Sequence, residues 1–299
     1  MVGRVVETLL SSINESWRVP EGSITIALNC EVKMKRAPNP RSVLAILSSI
    51  VILVLICPPV YGQWVKIPSA IPRGPDGKPN FSAPAPRLPD GHLDLSGIWE
   101  SGGGKYIQDI AADLKPGDVP FQPWAKTLVD QRADGSHSGE DPFANCLPQG
   151  VPRVSASPPP WKVIQKPDVI VILYESANTW RQVFLDGREL GKDFPPTFLG
   201  YSTGKWEGET LVVDTRGFNG KTWLDQTGKP TSDALHVTER FRRTDFGHME
   251  IQITIDDPKV YTKPWTVKET VRLVPNTDVI ENACENNLDL QHLGGKFSR

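Results

Sequence analysis

The chain has 299 residues, of which 38% are hydrophobic and 23% charged, and its formal net charge is −2. That length accommodates one large domain with a sizeable core, or two small ones. The near-neutral balance speaks against a nucleic-acid surface built on clustered Lys and Arg.

In chain order, the first signal is internal. Residues 34–62 read as a complete export signal: a basic start (Lys35, Arg36, Arg41), an apolar stretch from Val43 to Cys57, and Val60-Tyr61-Gly62 ahead of a cut at Gln63. Residues 1–33 are mixed and aperiodic, as expected of a mis-assigned N-terminal extension upstream of Met34. On this reading the mature protein is exported, periplasmic or extracellular, with no stable membrane insertion after cleavage. The alternative is an uncleaved anchor over 43–57. That run stops at Pro58-Pro59, whereas a spanning helix needs about 20 apolar residues. A lipoprotein cysteine at Cys57 would want a small residue before it, where Ile56 stands.

Cys30 and Cys57 leave with the leader, so Cys146 and Cys284 remain. An even pair in an oxidising compartment points to one disulfide, the alternative being two buried thiols. A bridge over so long a loop is worth about 4–5 kcal/mol in the chain-entropy model.

Residues 63–93 are rich in proline (Pro68, Pro72, Pro75, Pro79, Pro84, Pro86, Pro89) and lack a period of 2 or 3.6, as in a tether or wrapped arm. A single β-barrel domain is expected over 94–299. Its first strand opens at Asp94-Leu95-Ser96-Gly97-Ile98-Trp99-Glu100, and a helix is predicted over 123–132 with Trp124, Leu128 and Val129 on one face. Proline-bearing turns then lead to a dense series of strands at 161–166, 169–176, 179–186, 198–206, 209–218, 234–244, 248–257, 265–274 and 278–284. Breakers separate them, among them Lys166-Pro167-Asp168, Asp186-Gly187, Glu207-Gly208 and Phe246-Gly247. Short connections favour antiparallel neighbours, and closure hides the sheet edges. The expected fold is therefore all-β: an antiparallel up-and-down barrel of about 8–10 strands with one or two short helices.

Period-2 alternation tells which side chains face inward. Met249, Ile251, Ile253 and Ile255 alternate cleanly with polar residues. Three strands break the rule, because Arg181 shares a face with Val183 and Leu185, Glu239 with Val237 and Phe241, and Glu269 with Val267 and Val271. A charge removed from water costs several kcal/mol unless it is paired or the interior is wet. Either the three line a polar pocket, with His236 and Asp225 near its rim, or an Arg–Glu pair fixes barrel closure.

Other motifs carry less. His236 and His248 lack metal-ligand spacing, and no metal or cofactor is expected. Gly200-Tyr201-Ser202-Thr203-Gly204 matches a nucleophile elbow in letters only, since β-type sequence flanks it on both sides. The eight tryptophans of the mature part (Trp64, Trp99, Trp124, Trp161, Trp180, Trp206, Trp223 and Trp265) would suit stacking of a sugar or aromatic ligand, although such residues more often pack the core and rim.

The run Trp206-Glu207-Gly208-Glu209-Thr210-Leu211-Val212-Val213-Asp214-Thr215-Arg216-Gly217-Phe218 resembles a family of exported proteins abundant in Acidobacteria and other soil bacteria. So do Leu235-His236-Val237-Thr238-Glu239-Arg240-Phe241, Asp256-Asp257-Pro258 and Cys146-Leu147-Pro148. The resemblance implies export and kinship, and carries no reaction with it. Gly97-Ile98-Trp99 followed by a meander is similar to lipocalin and other calycin barrels, which implies a Trp at the closed end beneath a late-strand Arg, here Arg243 or Arg272. The insertion after Trp99 and the lack of a C-terminal helix depart from that pattern.

The expected function is binding of a small, partly apolar molecule in the barrel interior, with Arg181, Glu239 and Glu269 as polar anchors, Asp225 among the ligand-binding residues near the rim, and Trp99, Trp206 and Trp223 as walls. One alternative is a lyase, isomerase or hydrolase using Glu239 or Glu269 as general acid/base, with His236 nearby. Another is a cell-surface interaction protein without a cavity.

Overall fold

The computed structural model describes residues 71–284 except Lys192, all within one compact unit that begins at Trp64. The extension (1–33) and leader (34–62) lie outside the described residues.

Nine strands close into a barrel in sequence order: β1 (Gly97–Ser101), β2 (Trp161–Gln165), β3 (Val169–Tyr174), β4 (Thr179–Phe184), β5 (Tyr201–Glu207), β6 (Thr210–Arg216), β7 (His236–Arg243), β8 (His248–Asp256) and β9 (Trp265–Leu273), which pairs back with β1. Among the described residues three short α-helices accompany them: α1 (Lys105–Gln108), α2 (Pro123–Arg132) and α3 (Arg153–Ala156). The all-β barrel is thus as the sequence predicts. Alternation carries it: along β9, Trp265, Val267, Glu269 and Val271 are buried while Thr266, Lys268, Thr270 and Arg272 are exposed.

Three expectations need correction. The barrel is not wholly antiparallel, since β4 and β5 run parallel, paired at Val183–Ser202 and Phe184–Thr203. Residues 185–200 do not turn back as a hairpin but return along the outside to the end where β4 began. Residues 278–284 form no strand; this tail is held instead by Lys162–Asp278 and by Glu175 and Asn178 accepting from the backbone N–H groups of Ile280 and Asn282. In α2 the buried residue is Ala125, while Trp124 stays 52% exposed, its indole donating to the Lys259 carbonyl.

The hairpin end of the barrel is closed by its own turns and by the arm. From residue 71 to 93 the arm wraps this end: Phe246 and Gly247 donate backbone N–H groups to Ala83 and Phe81, and His92 stacks on Trp206 at 4.6 Å. Gly247 must be glycine, for a Cβ would come within 2.6 Å of Phe81. Trp99 is fully buried here, its indole donating to the Leu95 carbonyl, with the Arg243 guanidinium 4.9 Å over its ring. The Trp–Arg arrangement implied by Gly97-Ile98-Trp99 is present, with Arg243 in the role. Arg272 instead pairs with Glu100 on the outside.

The opposite end is plugged by the insertion between β1 and β2. All four residues of α3 are buried, and Arg153 makes a bidentate pair with Asp141 (2.8 and 2.5 Å). Lys229 reaches Asp109 at 2.6 Å and Asp225 at 2.9 Å, tying the β6–β7 connection to the insertion. Cys146 and Cys284 form a disulfide that joins the insertion to the C-terminal tail.

Candidate functional site

Inclined strands bring residues from different register rows to one height, so the barrel interior is built in layers. The layer toward the hairpin end is apolar, formed by residues such as Val163, Ile170, Val183, Leu211, Phe241 and Met249 around a void of about 10 Å³. That is room for one water at most. The cavity that the sequence predicts in the barrel interior is absent from this layer, which these side chains fill.

The next layer is polar. Tyr174 (β3), Arg181 (β4), Ser202 (β5), Thr215 (β6) and Glu239 (β7) form one hydrogen-bonded chain across it. Arg181 donates through Nε to Ser202 Oγ (2.8 Å), and through Nη2 to Thr215 Oγ1 (2.7 Å) and Glu239 Oε2 (2.5 Å). The Tyr174 hydroxyl lies 3.2 Å from Ser155 Oγ of α3, which links the chain to the plug. All three charges predicted to face inward do so, with 3% (Arg181), 0% (Glu239) and 1% (Glu269) exposure. Arg181 and Glu239 neutralise each other. Glu269 has no such partner, and both of its carboxyl oxygens, together with Arg181 Nη1 and Glu239 Oε1, are buried without a hydrogen bond. Burial first, then the nearby Glu239 charge, pushes the Glu269 pKa up to about 8, so it is a neutral acid at physiological pH.

The remaining predicted site residues are not gathered here. His236 lies on the outer face, its Nε2 2.7 Å from Asp214, on the opposite side of the sheet from Glu239. Asp225 is consumed by structure, accepting from the Ile110 and Thr227 backbone N–H groups and from Lys229. Trp223 is buried in the plug with Arg132 stacked 4.1 Å from its ring. Trp99 and Trp206 belong to the closed hairpin end. None of these five borders the polar layer as a ligand wall.

The residues that do make a wall were not singled out by sequence. Where the parallel β4–β5 ladder stops, beyond Val183–Ser202, the crossover of residues 185–200 stands off β4 and leaves a groove of about 460 Å³. Trp180, Phe184, Phe194, Phe198 and Tyr201 line it, with Arg181 and Ser202 of the polar layer. Gly200 permits the tight start of β5, with φ +67° and no room for a Cβ, which would sit 2.8 Å from the Arg216 carbonyl. Tyr201 is braced by Phe184 (5.3 Å, stacked) and Phe194 (4.9 Å, edge-on), while Trp180 keeps 59% of its surface exposed. Hollows of about 560 and 540 Å³ lie among the insertion, and none of the three inward charges lines either. The sequence signal that would have found the groove is β4 itself, where Trp180, Gln182 and Phe184 share the outward face at period 2.

Among the described residues, no group of three His, Cys, Asp or Glu is placed to hold a metal ion, and no helix is long and apolar enough to cross a membrane. No protein-family model matches the chain, and no curated protein matches it in sequence.

Proposed function

We propose that this is an exported barrel that binds a small, partly apolar molecule, and that the binding site is the groove at the parallel β4–β5 seam. One observation carries the reading: an aromatic-walled concavity with a largely exposed Trp180 meets the barrel's polar layer through Arg181 and Ser202. A concave apolar surface with a few convergent polar groups is what small-molecule recognition requires, and a large aromatic left more than half in water is a cost without it. Export is supported by the leader pattern of residues 34–62 and by the Cys146–Cys284 bridge, which suits an oxidising compartment. We read the chain as kin to the exported soil-bacterial proteins its motifs resemble.

A second reading is favoured by Glu269. A neutral, unpartnered acid in the same interior as the Arg181–Glu239 pair is a candidate general acid, with Arg181 to hold an oxyanion. The two readings separate in one experiment. Protein purified from the periplasm is extracted and the retained molecule identified by mass spectrometry; binding of that molecule is then compared in Trp180→Ala and Glu269→Gln. Binding lost in Trp180→Ala and kept in Glu269→Gln, without turnover in the wild type, supports the binder. Turnover in the wild type that vanishes in Glu269→Gln with affinity kept makes it an enzyme. Retention indifferent to Trp180→Ala refutes the groove.

A further inference from the structure

We propose that the ligand of the seam groove is a short peptide in extended conformation with apolar side chains, held as an added strand on the open edge of β4. The inference rests on the groove reading above and adds the ligand's chemistry to it.

The main chain of β4 carries the recognition. In an antiparallel ladder, alternate residues turn their N–H and C=O groups to the same neighbour. The Leu185 N–H donates to the Asp168 carbonyl beside β3, and β3 and β4 pair without a break from Val169–Phe184 to Tyr174–Thr179. The main-chain groups of Thr179, Arg181 and Val183 therefore face β3, and those of Trp180, Gln182 and Phe184 face the β5 side. The β4–β5 register holds at Val183–Ser202 and Phe184–Thr203, which engages the β4 edge from the Gln182 carbonyl onward. Two residues before Ser202, Gly200 stands where the ladder would continue, but its φ of +67° turns the chain off β4, and its carbonyl accepts from Thr197 Oγ1. The Trp180 N–H, the Trp180 carbonyl and the Gln182 N–H thus lie on an edge that no strand of the described residues covers. Trp180 and Gln182 line the groove that opens there.

Donor, acceptor, donor along one edge is the pattern that an extended peptide meets with its own C=O, N–H and C=O, whichever way it runs. The added chain continues the β4–β5 ladder into the place that the crossover vacates. Its outward side chains fall on the face of Trp180 and Gln182, beside the rings of Phe194 and Tyr201, where apolar and aromatic groups pack best. β5 already occupies the edge from the Gln182 carbonyl on, so the added chain stops there, which suits a short peptide better than a strand running the length of the sheet.

The probe is acetyl-Phe-Ala-Phe-amide, titrated calorimetrically into the full protein. Two variants at one position separate main chain from side chain. Gln182→Ala keeps the edge N–H, whereas Gln182→Pro removes it and leaves the main-chain bonds of Arg181 and Val183 to β3 in place. Peptide affinity is expected to change little in Gln182→Ala and to fall about tenfold or more in Gln182→Pro. Equal affinity in the two variants, or no binding by the wild type, overturns the inference. Should Gln182→Pro not fold, the wild type is titrated with peptides methylated at one main-chain nitrogen each. A ligand N–H meets the Trp180 carbonyl, so methylation is expected to cost about tenfold or more at one residue and little at the residue next to it. Tolerance at every position, or equal loss at all, overturns it. Trp180→Ala keeps the two claims apart. Peptide binding that weakens in Trp180→Ala but ignores the edge N–H sinks the added strand alone, as does a peptide that fails to bind while the retained molecule still depends on Trp180. Binding of peptide and retained molecule alike unaffected by Trp180→Ala sinks the groove reading with it.

Discussion

Arg181 and Glu239 reach each other across the barrel from β4 and β7, Nη2 to Oε2 at 2.5 Å, and both are buried. Two charges so placed lose in hydration most of what they gain in mutual attraction, so the pair is weak as a stabiliser and strong as a constraint. Glu239→Leu alone, which strands a buried guanidinium, is expected to cost about 3–5 kcal/mol, whereas Arg181→Met with Glu239→Leu is expected to lie within about 1–2 kcal/mol of the wild type. Urea unfolding of the four proteins in a double-mutant cycle measures this. Additive losses would mean that the two side chains do not act as a pair.

Glu269 makes stability fall with rising pH. Its pKa is about 8 in the fold and about 4.3 in an unfolded chain. Between those values the folded state holds a proton that the unfolded state has released, so unfolding is favoured as pH rises through this window. The penalty is absent below about pH 4, grows by up to about 1.4 kcal/mol per pH unit, and levels off above pH 8. Glu269→Gln removes the titration while keeping the shape. It is expected to stabilise the protein by about 3–4 kcal/mol at pH 7 and by little at pH 4. Equal gains at both pH values would show that the side chain is not a buried neutral acid.

The disulfide should hold more than the tail. Cys146 lies in the insertion that plugs the barrel, and Cys284 ends a segment anchored to Glu175 and Asn178. Because 138 residues separate the two, opening the bridge releases a long loop in the unfolded chain, and Cys146→Ser is expected to cost about 2–4 kcal/mol. In thermal unfolding this is a fall of roughly 5–15 °C, reproduced in the wild type by reductant. Coincident melts with and without reductant would contradict it.

At the hairpin end, Arg243 covers Trp99 and donates to the carbonyls of Asp94 and Phe246. Burial lowers its pKa to about 10, which still leaves it charged at neutral pH. Arg243→Met keeps much of the packing but leaves those carbonyls unmet, and is expected to cost about 2–3 kcal/mol with a change in the near-ultraviolet signal of Trp99. An unchanged signal and stability would mean that the guanidinium is dispensable to closure.

Sequence pattern reached the barrel and its inward charges because both rest on period 2. Glu239 and Glu269 are visible as misfits on otherwise apolar faces, with no knowledge of the partner strand. Other features depend on what lies across space. The parallel seam was missed because Asp186-Gly187 is as good a turn at the head of a long crossover as in a hairpin. Residues 278–284 have strand-like side chains but no edge to pair with, since β9 already closes on β1. A tryptophan's letter does not say whether it is roofed by arginine, as Trp99 and Trp223 are, or left in water like Trp180. Sequence alone places Asp225 and His236 near the pocket rim, where neither stands. Strand alternation sends His236 outward, and Asp225 is held by the plug.

The most direct measurement of the central claim is a crystal structure of the protein with the molecule it retains on purification. The account predicts density along β4 against Trp180, between Phe184 and the 185–200 crossover, with a polar atom directed toward Arg181. Density in one of the hollows of the insertion, with the seam groove empty, would contradict it.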